Sequence, residues 1–260
     1  MRTIITWEDI SNWAPILEHL VPELCNRGSI AKAARRGMDF FPADDLSWTI
    51  DLLPRKRPPS VFREEVQERI AKHFSHLRAY HGCRPKDFST YQTKGLVPLD
   101  PSRAFDELWM HFEDGRHPEI TREVLRAALN SVDTALREYR VFFEGSKRLL
   151  LDFCGHYLLY GSEYFVGILR SLKGHRDYAQ LLKESGEPTL LTCDVPIDWI
   201  SDSTLCELSG RMLASYFRVN VLRDATHPER GEGFGFEIFR ALPSELIVSI
   251  ETPANVRDPI

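Results

Sequence analysis

The chain carries none of the short signatures that assign chemistry outright. Its five cysteines, Cys25, Cys83, Cys154, Cys193 and Cys206, are odd in number and scattered, with no Cys-x-x-Cys. With no histidine pair at ligand spacing either, neither a disulfide framework nor a zinc site is indicated, and free, buried thiols are expected. No apolar run is long enough to cross a bilayer, and residues 1–8 lack the apolar core and small-residue cleavage site of a signal peptide. A cytosolic protein with no membrane partner is the expectation. The absence of Gly-x-Ser-x-Gly removes the nucleophile-elbow hydrolases. Glycine is dense only at Gly231-Glu232-Gly233-Phe234-Gly235, which leads into a strand pattern and opens no helix, so a loop or hairpin is expected there and not a dinucleotide loop. A formal charge of −5 argues against a dedicated polyanion binder, and the basic runs at residues 32–36 and Arg55-Lys56-Arg57 read as solvated surface.

What is present is a chain of 260 residues, 43% hydrophobic and 27% charged, long enough for a substantial core. Residues 1–60 carry helical fragments interrupted by Pro15, Pro22, Gly28, Gly37, Pro42 and Pro54 and end in the Pro-rich basic stretch 53–59. They read as an N-terminal helical extension and linker, with a folded domain over 61–260. Phe62, Val66, Ile70 and Phe74 recur every four residues, predicting an amphipathic helix that runs into a strand at 77–82. Asp100 before Pro101 is a helix start, because an Asp cap accepts a backbone N–H and proline at the first helical position forfeits no internal bond. Phe105, Leu108, Trp109 and Phe112 are the face expected to be buried. A second helix is expected over 119–137, using Val124, Leu125, Ala128, Leu129, Val132 and Leu136. Further strands are expected at 188–197, 235–240 and 245–250, with helices over 162–172 and after Asp202 or Ser203. Strands and helices mix without a regular βαβ repeat, which predicts an α+β fold: an antiparallel or mixed sheet with helical insertions.

Three segments carry candidate chemistry. Tyr80-His81-Gly82-Cys83 presents a histidine beside a glycine on a strand, followed by a short helix closed by Gly95-Leu96. Residues 155–165 place Tyr157, Tyr160 and Tyr164 around Gly161 and Ser162, at what reads as a strand-to-helix junction. Residues 243–251 put Glu245 at the start of a β-branched strand. In this chain order the three segments resemble the ADP-ribosyltransferases of the diphtheria-toxin and poly(ADP-ribose) polymerase class, whose His-Tyr-Glu motifs lie on the strands of a split sheet. The resemblance spans residues 77–252. The Arg-Ser-Glu branch fits poorly, since Pro243 stands where that branch has its first glutamate, and Cys83 stands where the class most often has Thr or Ser.

The resemblance implies NAD as substrate, no metal, and a macromolecular acceptor, either protein or nucleic acid. It implies that His81 orients a ribose, that Gly82 offers its backbone N–H and C=O to the nicotinamide carboxamide, and that Cys83 and Ser162 line the same pocket. Tyr160 and Tyr164 would wall the nicotinamide, with Tyr157 as the alternative first wall, and Glu245 would stabilise the oxocarbenium ion. A glycine suits close approach by a flat ligand because it has no Cβ, and a carboxylate suits a reaction that builds positive charge on a ribose carbon. An NAD glycohydrolase and a catalytically silent binding module are the alternative readings.

Overall fold

The computed structural model describes residues 2–36, 42–54, 57–133, 137–172, 176–223 and 233–258. The chain is α+β: ten α-helices and six strands fall among the described residues, and the strands form one mixed sheet. None of the described helices is long and apolar enough to cross a membrane. Two compact units emerge, one formed by Met1–Ala79 and Asp194–Phe236, the other by Tyr80–Cys193 and Glu237–Ile260.

The first unit contains β1 (Ile4–Thr6), α1 (Ile10–Leu24), α2 (Arg27–Arg36), α3 (Ser60–His73) and α10 (Asp202–Tyr216). β1 runs parallel to the beginning of β2 (His76–Cys83), with Ile5 opposite Leu77. Helices α1, α3 and α10 pack together. Phe62, Val66 and Ile70 are fully buried, as their spacing predicts, and α10 is capped by Ser201, in place of the expected Asp202 or Ser203. Pro15 and Pro22 do not interrupt α1, contrary to expectation. Each removes an internal hydrogen bond at a cost of roughly 3 kcal/mol, but the helix buries Trp13, Ile16, Leu17, Leu20 and Leu24, and that apolar face holds its course. Segment 1–60 thus contributes β1 and α1 to the core of this unit. Arg55 and Lys56 of the basic run lie outside the described residues, as do Gly231 and Glu232 of the glycine-dense stretch.

The second unit holds α4 (Ser89–Lys94), α5 (Pro101–Trp109), α6 (Arg122–Ser131), β3 (Val141–Glu144), α7 (Lys147–Asp152), α8 (His156–Tyr160), α9 (Glu163–Ser171) and β6 (Ile247–Glu251), with portions of β2, β4 (Thr189–Pro196) and β5 (Gly235–Ile238). Its strand order is β5-β3-β2-β4-β6. Tyr80 lies opposite Glu144 in the antiparallel β2–β3 pair, and Leu191 lies opposite Ile250 in the antiparallel β4–β6 pair. Asp100 caps α5 as expected, accepting from Ser102 N at 3.0 Å with Pro101 at the first helical position. Helix α6 is shorter than the expected 119–137, because Thr121 caps it and it ends at Ser131; Leu136 lies outside the described residues.

Two expectations need correction. The apolar run preceding Tyr160 is not a strand: α7 and α8 occupy it, so the tyrosines sit at a helix–helix junction. Ser146 caps α7, which ends at Asp152, and Gly155 opens α8, with the carbonyl of Arg257 lying where a Gly155 Cβ would stand. Leu150, Leu158 and Tyr160 turn inward from these helices, so continuous hydrophobicity here reflects two helical faces. Glu245 likewise precedes its strand, in a single 3-10 turn at Ser244–Leu246, with β6 beginning at Ile247.

Gly95 closes α4 with φ of 71°, and the Leu242 carbonyl fills the space a Cβ would need. Leu96 and Leu242 exchange two backbone hydrogen bonds of 2.9 and 2.8 Å. Gly95→Ala is therefore expected to destabilise the protein by more than ~1 kcal/mol, through both the left-handed φ and the blocked approach. Urea unfolding of the two proteins measures it, and equal midpoints would contradict the account.

Candidate active site

The site is built on the second half of β2. Side chains alternate along a strand, so Tyr80 and Gly82 face one side and His81 the other. His81 Nδ1 lies 2.8 Å from the Phe142 carbonyl, which can only accept, so the proton is on Nδ1 and Nε2 is left as the ring's acceptor. The ring also meets Phe143 edge-on, with centroids 6.0 Å apart. Burial lowers the His81 pKa from its ordinary value against the opposing effect of that carbonyl, which favours the neutral ring.

On the opposite face, α8 lies against Gly82. A Cβ at Gly82 would stand 3.0 Å from Tyr157 Cβ and 3.3 Å from Leu158 Cγ. Tyr157 is thus the tyrosine that the structure brings to Gly82. Cys83 is buried, donates to the Thr189 carbonyl at 3.6 Å and shares a hydrogen bond with Tyr91; burial pushes its thiol up to about 12, so it is an inert donor and no nucleophile.

Tyr160 and Tyr164 sit in the apolar cluster of α5, α6, α9 and the 3-10 segment Tyr178–Glu184. The Tyr160 hydroxyl donates to Asp258 at 3.1 Å, and Lys183 Nζ lies 4.5 Å from the centre of its ring while pairing with the same carboxylate at 2.7 Å. Tyr164 is 2% exposed, and its buried hydroxyl has no hydrogen-bond partner among the described residues. Ser162 caps α9 by accepting from Phe165 N. Glu245 is exposed, with Ser244 Oγ at 3.5 Å from its carboxylate. Its 3-10 turn packs on α4, so the end of the first motif and the third motif are neighbours. The hydrogen bonds of His81, Tyr160 and Glu245 named here lead to three different partners.

The residues that motif reading missed lie between the tyrosines. Glu163, the first residue of α9, accepts from His156 Nε2 at 2.8 Å and Arg137 Nη1 at 2.6 Å, and it also bonds the Tyr157 hydroxyl. The His156 bond first, then Arg137 and Tyr157, hold its carboxyl down at about 2. Burial and the Glu163 charge together raise the Tyr157 phenol above its ordinary value, so it stays protonated as a donor. The available signal was Ser162-Glu163, a cap followed by an acid in the first turn, with a histidine seven positions earlier. It becomes readable only once residues 156–160 are known to be helical. Among the described residues, no group of three or more His, Cys, Asp and Glu side chains is placed to hold a metal ion.

A carboxylate whose folded pKa lies below its ordinary 4.5 stabilises the fold above 4.5, and that contribution is lost as the pH falls toward 2. The melting temperature of the wild type is therefore expected to fall more steeply over this window than that of Glu163→Gln. At neutral pH the same substitution is expected to cost about 1–3 kcal/mol in lost charged hydrogen bonds. Parallel melting curves across the acid range would contradict the clamp.

No family model matches the chain, and neither a curated protein nor a solved structure matches it.

Proposed function

We propose that the chain is an NAD-dependent mono-ADP-ribosyltransferase of the His-Tyr-Glu type, built on that class's split sheet. The observation that carries the reading is the adjacency of three segments distant in sequence. Tyr157 of the second lies on Gly82 of the first, while Leu242, immediately before the third, is hydrogen-bonded to Leu96 at the end of the first, and the Ser244–Leu246 turn of the third packs on α4.

In this reading Gly82 offers backbone polar groups to the nicotinamide carboxamide, and Tyr157 walls the ring. Tyr157 takes this role in preference to Tyr160, whose face and hydroxyl serve Lys183 and Asp258. Tyr160 and Tyr164 then support α8 and α9 from the core. The fixed tautomer of His81 suits a ribose hydroxyl, which can donate to Nε2. As the C1′–N bond breaks, its electron pair passes to the pyridinium nitrogen and nicotinamide leaves neutral. Positive charge grows on C1′ and the ring oxygen, and Glu245, gripping a hydroxyl of that ribose, interacts more strongly with the transition state than with NAD. The acceptor nucleophile then bonds to C1′, completing transfer of ADP-ribose.

Nicotinamide release from NAD tests the reading. Glu245→Gln is expected to lower the rate ~10²–10³-fold with little change in NAD affinity, whereas His81→Ala is expected chiefly to weaken NAD binding. A Glu245→Gln enzyme as fast as the wild type would remove that carboxylate from the mechanism, and a wild type that neither binds nor consumes NAD would remove the function.

A further inference from the structure

The Glu163–His156 pair takes no part in the transfer proposed for the site. Glu163 is a carboxylate held ionised by Arg137, and a carboxylate can only accept, so His156 Nε2 must carry the proton in their 2.8 Å bond. In the neutral ring the other nitrogen of His156, Nδ1, is then an acceptor. It is buried, and among the described residues it has no hydrogen-bond partner. A buried acceptor left unpaired costs free energy, so its retention calls for an explanation.

The arrangement is that of an oriented base. A carboxylate fixes the tautomer of an imidazole and stabilises the imidazolium that forms when the far nitrogen takes a proton. Arg137 on one side and Tyr157 on the other hold Glu163, and the His156 and Tyr157 rings lie 4.2 Å apart at 38°. Cys154 lies within electrostatic reach of Glu163 and of Glu144. Since Tyr157 is the residue that covers Gly82, the imidazole stands beside the wall of the proposed nicotinamide pocket.

We propose that His156, oriented by Glu163, is the general base that activates the acceptor, and that the acceptor attacks through a hydroxyl oxygen. This rests on the ADP-ribosyltransferase reading. A hydroxyl must shed its proton as its oxygen bonds to C1′, whereas a carboxylate acceptor arrives already deprotonated and has no use for the base. In the step, the O–H proton passes to His156 Nδ1 and the oxygen forms the new bond to C1′. The C1′–N bond breaks toward nicotinamide, and the imidazolium returns its proton to solvent. An acceptor hydroxyl that donates to Nδ1 also supplies the missing hydrogen bond, so the same atom aids acceptor binding.

Water and methanol are the simplest hydroxyl nucleophiles, and NAD breakdown in water and in water–methanol measures the step directly. His156→Ala is expected to lower the turnover number at least ~10²-fold with NAD affinity by calorimetry unchanged, and added imidazole is expected to restore part of the rate. Glu163→Gln, which keeps an acceptor for Nε2 but not the charge, is expected to show a smaller loss. Circular dichroism confirms the fold, and His156→Gln replaces His156→Ala if the latter does not fold. Either a variant within a few-fold of the wild-type rate, or a loss that tracks NAD affinity and is not restored by imidazole, overturns the base and leaves the proposed function standing. A wild type that releases no nicotinamide and binds no NAD overturns both.

Discussion

The second unit depends on a missing Cβ. Gly82 lets α8 approach β2 so closely that any side chain there would stand 3.0 Å from Tyr157 Cβ, and this contact joins segments far apart in the chain. A larger residue would push α8 away and separate Tyr157 from the His81-Gly82 pair. Gly95 does the same for the other end of the first motif, where the Leu242 carbonyl takes the place of a Cβ and ties residues 242–246 to α4. Two glycines, one inside a strand and one at a helix end, thus bring three segments together by subtraction of atoms.

Charge then fixes what proximity allows. One carboxylate, Glu163, collects a guanidinium, an imidazole and a phenol, which orders both the His156 ring and the Tyr157 ring. Multiple donors on one ionised acceptor are stronger than isolated neutral pairs and keep the carboxylate charged far into the acid range. The C-terminal segment performs a parallel task on the next turn. Val256 packs against the cluster of Tyr80, Leu150, Leu158 and Leu190, the Arg257 carbonyl covers Gly155, and Asp258 joins Tyr160 to Lys183. Helix α8, only five residues long and unable to persist alone, is held in place from its core side, its N-terminus and its C-terminus.

Periodicity and caps made the scaffold legible. The four-residue spacing of Phe62, Val66 and Ile70 located α3, Asp100-Pro101 located the start of α5, and the His-Gly strand falls where β2 is. The run before Tyr160 does not announce its helices, because two short helices buried on one side show no alternation and no clean helical period. The partners within the site were not legible at all. Arg137 to Glu163 and Tyr160 to Asp258 are long-range bonds with no local signature, and a tyrosine that packs a core looks in sequence like one that walls a pocket. The tyrosines stood out as a group, while their division of labour required the fold.

The central claim is that the Gly82 backbone and the His81 ring belong to one NAD site, and nitrogen NMR of histidine-labelled protein tests it most directly. The account predicts that His81 is neutral with its proton on Nδ1, and that its Nε2 resonance shifts on saturation with NAD as a ribose hydroxyl donates to it. A His81 ring protonated on Nε2 instead, or a resonance that does not move when NAD is added, would contradict it.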